Sequence, residues 1–418
     1  MKTTTRVQLS VMMFLEFFIW GSWYVTMGTY LLKTLQATGT ENGATYGAVA
    51  IATMVSPFLV GLVADRFFAA QRFMGVLHLL GAGVLFFATT ITNPGTFFWV
   101  ILLYSLFYMP TIALSNSVAF NQMTQPDKEF PGIRVWGTVG WIVTGLLIGG
   151  ISFESGGTQT FIGLFGKDVA TSILPFQVAA VASLILGIFS FFLPHTPPKT
   201  TKASSISQVL GLDALILFKD RSYLIFFVSA VLICVPLSFY YNFTNPFLTD
   251  AGMKSVTAKM TMGQMSEALF MLLIPLAFMR LGIKNILIVA MIAWIGRFLL
   301  FAFGNNEANA WMLYAGIILH GICYDFFFVS GFIYTEKKAG ASIKNSAQGL
   351  ITFATYGLGM FIGSNLSGII ADAYRENGSI QWQSFWIAPA LITIGVMIFF
   401  VLLFQEKRKK EKEIGNVV

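Results

Sequence analysis

Apolar residues run in long blocks along this chain, and short polar clusters interrupt them at nearly regular intervals. Blocks of bilayer-spanning length fall at about 7–32, 44–64, 73–91, 97–121, 134–152, 170–193, 223–248, 260–279, 285–304, 310–333, 347–371 and 384–405. A helix needs about 20 apolar residues to cross a hydrocarbon core of about 30 Å, so the pattern predicts twelve transmembrane helices. Turn-forming clusters such as Thr92-Asn93-Pro94-Gly95 and Gly304-Asn305-Asn306 separate them. The longest polar connection, Pro194 to Asp220, follows the sixth block and divides the chain into two sets of six. The predicted architecture is an all-α membrane protein: a six-helix bundle over 1–193, a linker over 194–222, a second six-helix bundle over 223–405 and a basic tail over 406–418. Within the linker, Pro197-Pro198-Lys199-Thr200-Thr201-Lys202 has spacer composition, and Gln208 to Phe218 has an amphipathic pattern suited to the membrane surface.

Composition agrees with a bilayer rather than with water. Of the 418 residues 56% are hydrophobic and 11% charged, and the mean hydropathy is +0.73, too few polar residues to coat a soluble globule. The net charge of +7 is spread over short clusters between the apolar blocks, which excludes the single basic patch of a nucleic-acid binder. With both termini in the cytoplasm, about 20 of the 26 Lys and Arg fall in or beside cytoplasmic segments, as the positive-inside rule requires. The run Lys407-Arg408-Lys409-Lys410 places the C-terminus there. Lys2 and Arg6 precede a first block too long for a signal peptide, so it is expected to be retained as a helix. Cys234 and Cys323 lie inside apolar blocks without metal-ligand spacing and are expected to be small core residues.

The chemistry lies in polar residues that interrupt apolar helices. A charged side chain at a helix centre costs roughly 2.5–3.5 kcal/mol to insert, so it normally faces a cavity or a partner. Gln264 and Glu267 are three apart in the eighth block and share a face, a candidate substrate and proton site. Arg134, Thr138 and Trp141 recur at i, i+4 and i+7 in the fifth block. That face offers a cation, a hydroxyl and a stacking surface, although Arg134 could instead anchor the cytoplasmic end of its helix. His320 and Tyr324 share a face of the tenth block, with Asp325 about a quarter turn away. Glu16, followed by Trp20 and Tyr24 at i+4 and i+8, is a third intramembrane acid expected to face the cavity. Arg297, mid-span in the ninth block, needs a partner, and Asp325 is expected to supply it. The three histidines, His78, His195 and His320, are dispersed, which argues against a metal cluster or an intramembrane enzyme.

One loop and several stretches carry a family resemblance. Gly61-Leu62-Val63-Ala64-Asp65-Arg66, followed by Arg72, resembles the loop between helices two and three of the major facilitator superfamily, where the Asp caps and ion-pairs across cytoplasmic helix ends. The equivalent loop of the second half, Arg280-Leu281-Gly282-Ile283-Lys284, keeps only the basic residues. Phe14 to Trp23, Pro131 to Gly140, Leu210-Gly211-Leu212-Asp213 with Leu217-Phe218-Lys219, Gln264 to Glu267, Gly282 to Asn285, Tyr324 to Phe327 and Ser346 to Gly349 together resemble the bacterial nucleoside:proton symporters of that superfamily.

The resemblance implies proton-coupled nucleoside uptake across the bacterial inner membrane by alternating access. A monomer is expected, and with no P-loop, dinucleotide fingerprint or haem motif in the sequence no cofactor is expected. The resemblance also implies a substrate site at Arg134, Thr138, Trp141, Ser238, Tyr241, Gln264, Glu267, His320 and Tyr324. The intramembrane acids Glu267, Asp325 and Glu16, the last standing where the family carries Gln, are the expected sites of proton coupling. Ser238 and Tyr241 depart from the family pattern, which has two amides there, and His320 and Tyr324 stand where it has Tyr and Phe. Another small polar metabolite, such as a sugar, therefore stays open as the substrate. Burial disfavours the charged form of a carboxylate, so Glu267 can load a proton on one side and release it on the other. If Asp325 is permanently paired with Arg297, Glu267 is the better carrier.

Overall fold

The computed structural model describes residues 1–60, 68–155, 158–163, 165, 168–198 and 211–405. The principal helices are α1 (Thr3–Thr34), α2 (Gly39–Leu59), α3 (Ala70–Ala88), α4 (Pro94–Asn121), α5 (Pro131–Gly149), α6 (Leu174–Ser190), α7 (Arg221–Asp250), α8 (Val256–Phe303), α9 (Ala310–Gly340), α10 (Ile343–Ala373) and α11 (Trp382–Leu403). Among the described residues, nine of these are long and apolar enough to cross a membrane. The other two, α2 and α6, are respectively more polar and shorter. Chain-encoded caps set several boundaries. Asn93 accepts from Thr96 N at 2.9 Å with Pro94 in the first turn of α4, Thr38 and Glu41 form a capping box on α2, and Asp220 caps α7 through Ser222 N at 2.9 Å.

Helix α8 departs from the predicted pattern of two helices joined by a charged loop. At 48 residues it would be about 72 Å long if straight, more than twice the hydrocarbon thickness. It bends instead at Gly282, whose φ of 69° and ψ of 168° lie outside the helical region and suit only glycine. Ser266 before the bend and Arg297 after it hydrogen-bond to one turn of α9: Ser266 Oγ to Ile318 O at 2.6 Å and Arg297 Nε to Gly316 O at 2.9 Å. The two arms of α8 therefore fold back on each other, and the expected loop shrinks to a break at one glycine.

The apolar side chains form two large cores. One draws on residues from Leu9 to Leu193, the other on residues from Tyr223 to Phe404 together with Ala50. Side chains such as Leu272, Met279 and Leu402 stay exposed on the outside, where hydrocarbon rather than water is the favourable neighbour. Two short hairpins were not foreseen: Ile151–Ser155 pairs with Thr158–Ile162, and Arg375–Glu376 pairs with Ser379–Ile380 around Asn377-Gly378. The surface segment of the linker is a 3-10 helix, Leu212–Lys219. Positions 208–210 and the basic tail lie outside the described residues.

The side-chain bonds that join the two halves gather on the face opposite the N-terminus. There the Asp372 carboxylate accepts from Gly39 N (2.6 Å), Thr40 N (2.7 Å) and Thr40 Oγ1 (2.7 Å), a negative charge on the N-terminus of α2. Thr29 Oγ1 donates to Asn245 Oδ1 at 2.5 Å, Asn42 Nδ2 to Asn242 O at 3.3 Å, and Lys33 pairs with Asp250. Small residues allow the approach. A Cβ at Gly43 would lie 2.3 Å from Ser364 O, and one at Gly149 would lie 2.2 Å from Ala258 N.

Candidate substrate and proton site

Helices α1 and α5 touch backbone to backbone, because a Cβ at Gly140 would sit 2.2 Å from Phe14 O. That contact fixes the rotation of both helices. It stacks Trp20 edge-on against Trp141, with ring centroids 5.7 Å apart, and lays the Arg134 guanidinium over Phe17 at 4.0 Å. Toward the sealed face, α5 meets α8 in antiparallel register, with Gly145 against Thr261 and Gly149 against Ala258. Carried along both helices, this register sets Trp141 opposite Gln264 and Thr138 opposite Glu267. Thr138, Trp141, Gln264 and Tyr241 are all half-buried. Tyr24 and Tyr241 bridge the halves edge to face at 5.8 Å. The predicted faces of α5 and α8 thus meet across one seam.

The α9 side of the seam is built on irregular backbone. Leu319 interrupts the α-helix, and Asp325–Val329 forms a π turn, a feature frequent at functional sites. The Ser266 hydroxyl fits at the interruption, donating to Ile318 O and accepting from Gly321 N at 2.9 Å. Trp294 Nε1 donates to Cys323 O at 3.1 Å. These anchors bring His320 to Glu267, with Nε2 and Oε2 3.9 Å apart. The Glu267 side chain is 22% exposed, whereas His320 is 1% exposed. Glu267 also lies within electrostatic reach of Arg134 across the seam. Tyr324 OH meets Tyr356 OH at 2.5 Å. Tyr356, in a π turn of α10, was not among the predicted site residues, and a lone tyrosine in an apolar block carries no signal that separates it from core.

Three expectations fail. Arg297 does not pair with Asp325. Its Nη1 lies 3.2 Å from His320 Nδ1 and its guanidinium 3.4 Å over the Tyr240 ring, so a carbonyl, an imidazole and an aromatic face receive the charge. Among the described residues, neither Asp325 carboxylate oxygen has a hydrogen-bond partner, and both are buried. Glu16 does not face the seam. It is fully buried between α1, α3 and α4, taking His78 Nε2 at 3.1 Å and Thr111 Oγ1 at 2.7 Å, while His78 Nδ1 meets Ser183 Oγ of α6 at 3.1 Å. Ser238 turns away as well: its hydroxyl donates to Cys234 O at 2.9 Å and lies 3.4 Å from Met360 O, filling the contact with α10. Of the loop motif, Gly61, Asp65 and Arg66 lie outside the described residues, and Arg72 is exposed near the start of α3. Cys234 and Cys323 are buried free thiols, as expected of core residues.

An amide, a carboxylate, an arginine and a ring of aromatic faces at the seam of two helical halves suit a flat polar ligand and a proton. Sequence comparison decides the family. The profile of the nucleoside H+ symporters matches residues 1–409. The chain belongs to this family. YegT of Escherichia coli (strain K12), a candidate nucleoside transporter, is 42% identical over 414 residues, covering 97% of this chain and 95% of YegT. The xanthosine permease of the same strain is 36% identical over 422 residues, 97% of each chain. The crystal structure of the nucleoside transporter NupG superposes with a TM-score of 0.85 at 33% identity, covering 97% of this chain and 100% of NupG. As a nucleoside H+ symporter family member with this predominantly helical, major facilitator-like fold, the chain is a membrane transporter and not an enzyme.

Proposed function

We propose that this symporter takes up nucleosides at the seam around Glu267 in the bacterial inner membrane, working as a monomer with both termini in the cytoplasm. Counting the two arms of α8 separately gives twelve crossings, arranged as bundles over 1–193 and 223–405. The two separate apolar cores support that division. With the cytoplasmic assignment, the sealed face is the outer one, and the seam opens inward. Alternating access then consists of breaking the Asp372 and Asp250 contacts while the halves rock about the bound substrate.

The observation that carries the proposal is the partly exposed Glu267, 3.9 Å from His320 and within electrostatic reach of Arg134 across the seam. Arg134, Thr138 and Gln264 present donors and acceptors to the base and ribose. Trp20, Trp141, Tyr241 and Tyr324 present faces for the ring. Glu267 carries the transported proton, because a neutral acid donates a hydrogen bond that a carboxylate cannot, and substrate affinity thereby depends on its charge. Asp325, buried without donors, is the second site of proton coupling, and Glu16 belongs to the scaffold of the first bundle. Proteoliposomes loaded with purified protein should accumulate labelled uridine or adenosine only with an inward proton gradient, and hexoses should not compete. Equal uptake without the gradient would contradict the coupling.

A further inference from the structure

The residues Arg297, His320 and Glu267 form a line that ends at the seam. Arg297 Nη1 is 3.2 Å from His320 Nδ1, and His320 Nε2 is 3.9 Å from Glu267 Oε2. The first contact has one polarity, since a guanidinium has donors and no acceptor. His320 Nδ1 must therefore accept, and the ring proton sits on Nε2, directed at Glu267. The ring is held in this attitude by stacking on Tyr240 at 5.1 Å and by Tyr241 edge-on at 6.2 Å. Arg297 is itself fixed by Gly316 O and by the Tyr240 face. The groups facing the His320–Glu267 pair are Tyr240 and Tyr241 of α7, Arg297 on the return arm of α8, Tyr324 and Asp325 of α9, and Arg134 across the seam.

We propose that Arg297 and His320 form a one-way donor chain that never carries the transported proton but decides which oxygen of Glu267 receives it. His320 has no free nitrogen for a second proton while Arg297 occupies Nδ1. Closing the 3.9 Å gap by a small rotation of Glu267 lets Nε2–H donate to Oε2, so an incoming proton binds the other oxygen, Oε1. The protonated carboxyl then presents its O–H to an acceptor on the substrate, a carbonyl or ring nitrogen of the base. The whole chain donates in one direction, from Arg297 through His320 and Glu267 to the ligand. His320 is thus a positioning residue, although its type suggests a pH sensor. The inference rests on the transport function proposed above.

Two substitutions separate the alternatives. His320→Gln cannot be protonated, yet its carbonyl can accept from Arg297 while its amide donates to Glu267. His320→Phe keeps a ring on Tyr240 and loses both bonds. In proteoliposomes with an inward proton gradient, His320→Gln should accumulate labelled uridine or adenosine to within about twofold of the unmodified protein, and His320→Phe should lose about three- to tenfold in low-pH affinity, the order expected for one hydrogen bond to the neutral, protonated carboxyl. Loss of accumulation in both variants would make His320 a proton carrier and overturn the proposal. Retention in both would make it a packing residue and overturn it equally. Histidine 15N spectra of the intact protein, assigned with His320→Gln, supply a readout independent of substrate: the His320 signal should remain that of the neutral Nε2–H tautomer from about pH 5.5 to 8.5, spanning the ordinary histidine range. An imidazolium signal in that range contradicts the donor chain. Absence of nucleoside uptake by the unmodified protein would instead overturn the transport function, with the spectra still deciding the tautomer.

Discussion

The two halves of this transporter each bury an acid against a histidine, and the two pairs are built to opposite ends. In the first half, Glu16 and His78 are 3.1 Å apart, both fully enclosed, and their remaining atoms are taken by Thr111 and Ser183. In the second half, Glu267 and His320 are 3.9 Å apart, and Glu267 is partly exposed at the seam. The first pair ties four helices of one bundle together and offers no open position. The second is held from behind by Arg297 and left unfinished in front. Residue type is nearly the same in both. In the proposed mechanism, the saturation of hydrogen-bonding capacity distinguishes a cross-link from a proton site, because a group whose partners are complete has little to gain from a substrate.

The largest effect is expected for Glu267→Gln, which removes the titrating group while preserving the amide shape: uphill accumulation of nucleoside in proteoliposomes should vanish, while exchange of labelled for unlabelled substrate persists. Next comes Glu16→Ala, which strands His78 and Thr111 in the bundle interior. Breaking a buried pair costs about 3–5 kcal/mol, so thermal unfolding in detergent should shift down strongly, while the folded fraction retains coupled transport per molecule. A smaller change follows from Asp372→Ala, which strips three hydrogen bonds from the seal opposite the N-terminus, about 1.5–3 kcal/mol in all because solvent screens this partly exposed carboxylate. Spin-label distances across the ends of the two bundles at that seal should lengthen, and an unchanged distribution would show that the seal rests on the small-residue contacts alone. Trp141→Leu should have the mildest effect, weakening substrate binding by about 0.5–1.5 kcal/mol through lost stacking, as measured by equilibrium binding.

Most of the fold was legible because hydrocarbon enforces it. Spanning blocks must be apolar and long, and the broken charge runs fix where they end. The faces of α5 and α8 were legible too, since the spacing of Arg134, Thr138 and Trp141, and of Gln264 and Glu267, leaves little freedom on a helix. Helix rotation was not legible. Trp20 lines the seam while Glu16, one turn earlier, turns inward, because the Gly140 contact with Phe14 sets the angle of α1, and nothing local in α1 encodes it. Partner choice was not legible for the same reason. Charge balance favours Asp325 for Arg297, but the interruption of α9 at Leu319 frees Gly316 O and presents His320 first. The two hairpins lie in loops whose polar composition permits many conformations.

We propose that the unfinished pair couples the proton and the saturated pair does not. The most direct test is the steady-state accumulation of labelled nucleoside at a series of imposed proton gradients, measured side by side for the unmodified protein, Glu16→Gln and Glu267→Gln. The account predicts that the first two follow the gradient and that Glu267→Gln reaches only equal concentrations inside and outside. Accumulation by Glu267→Gln that still follows the gradient, with Glu16→Gln failing to do so, would contradict it.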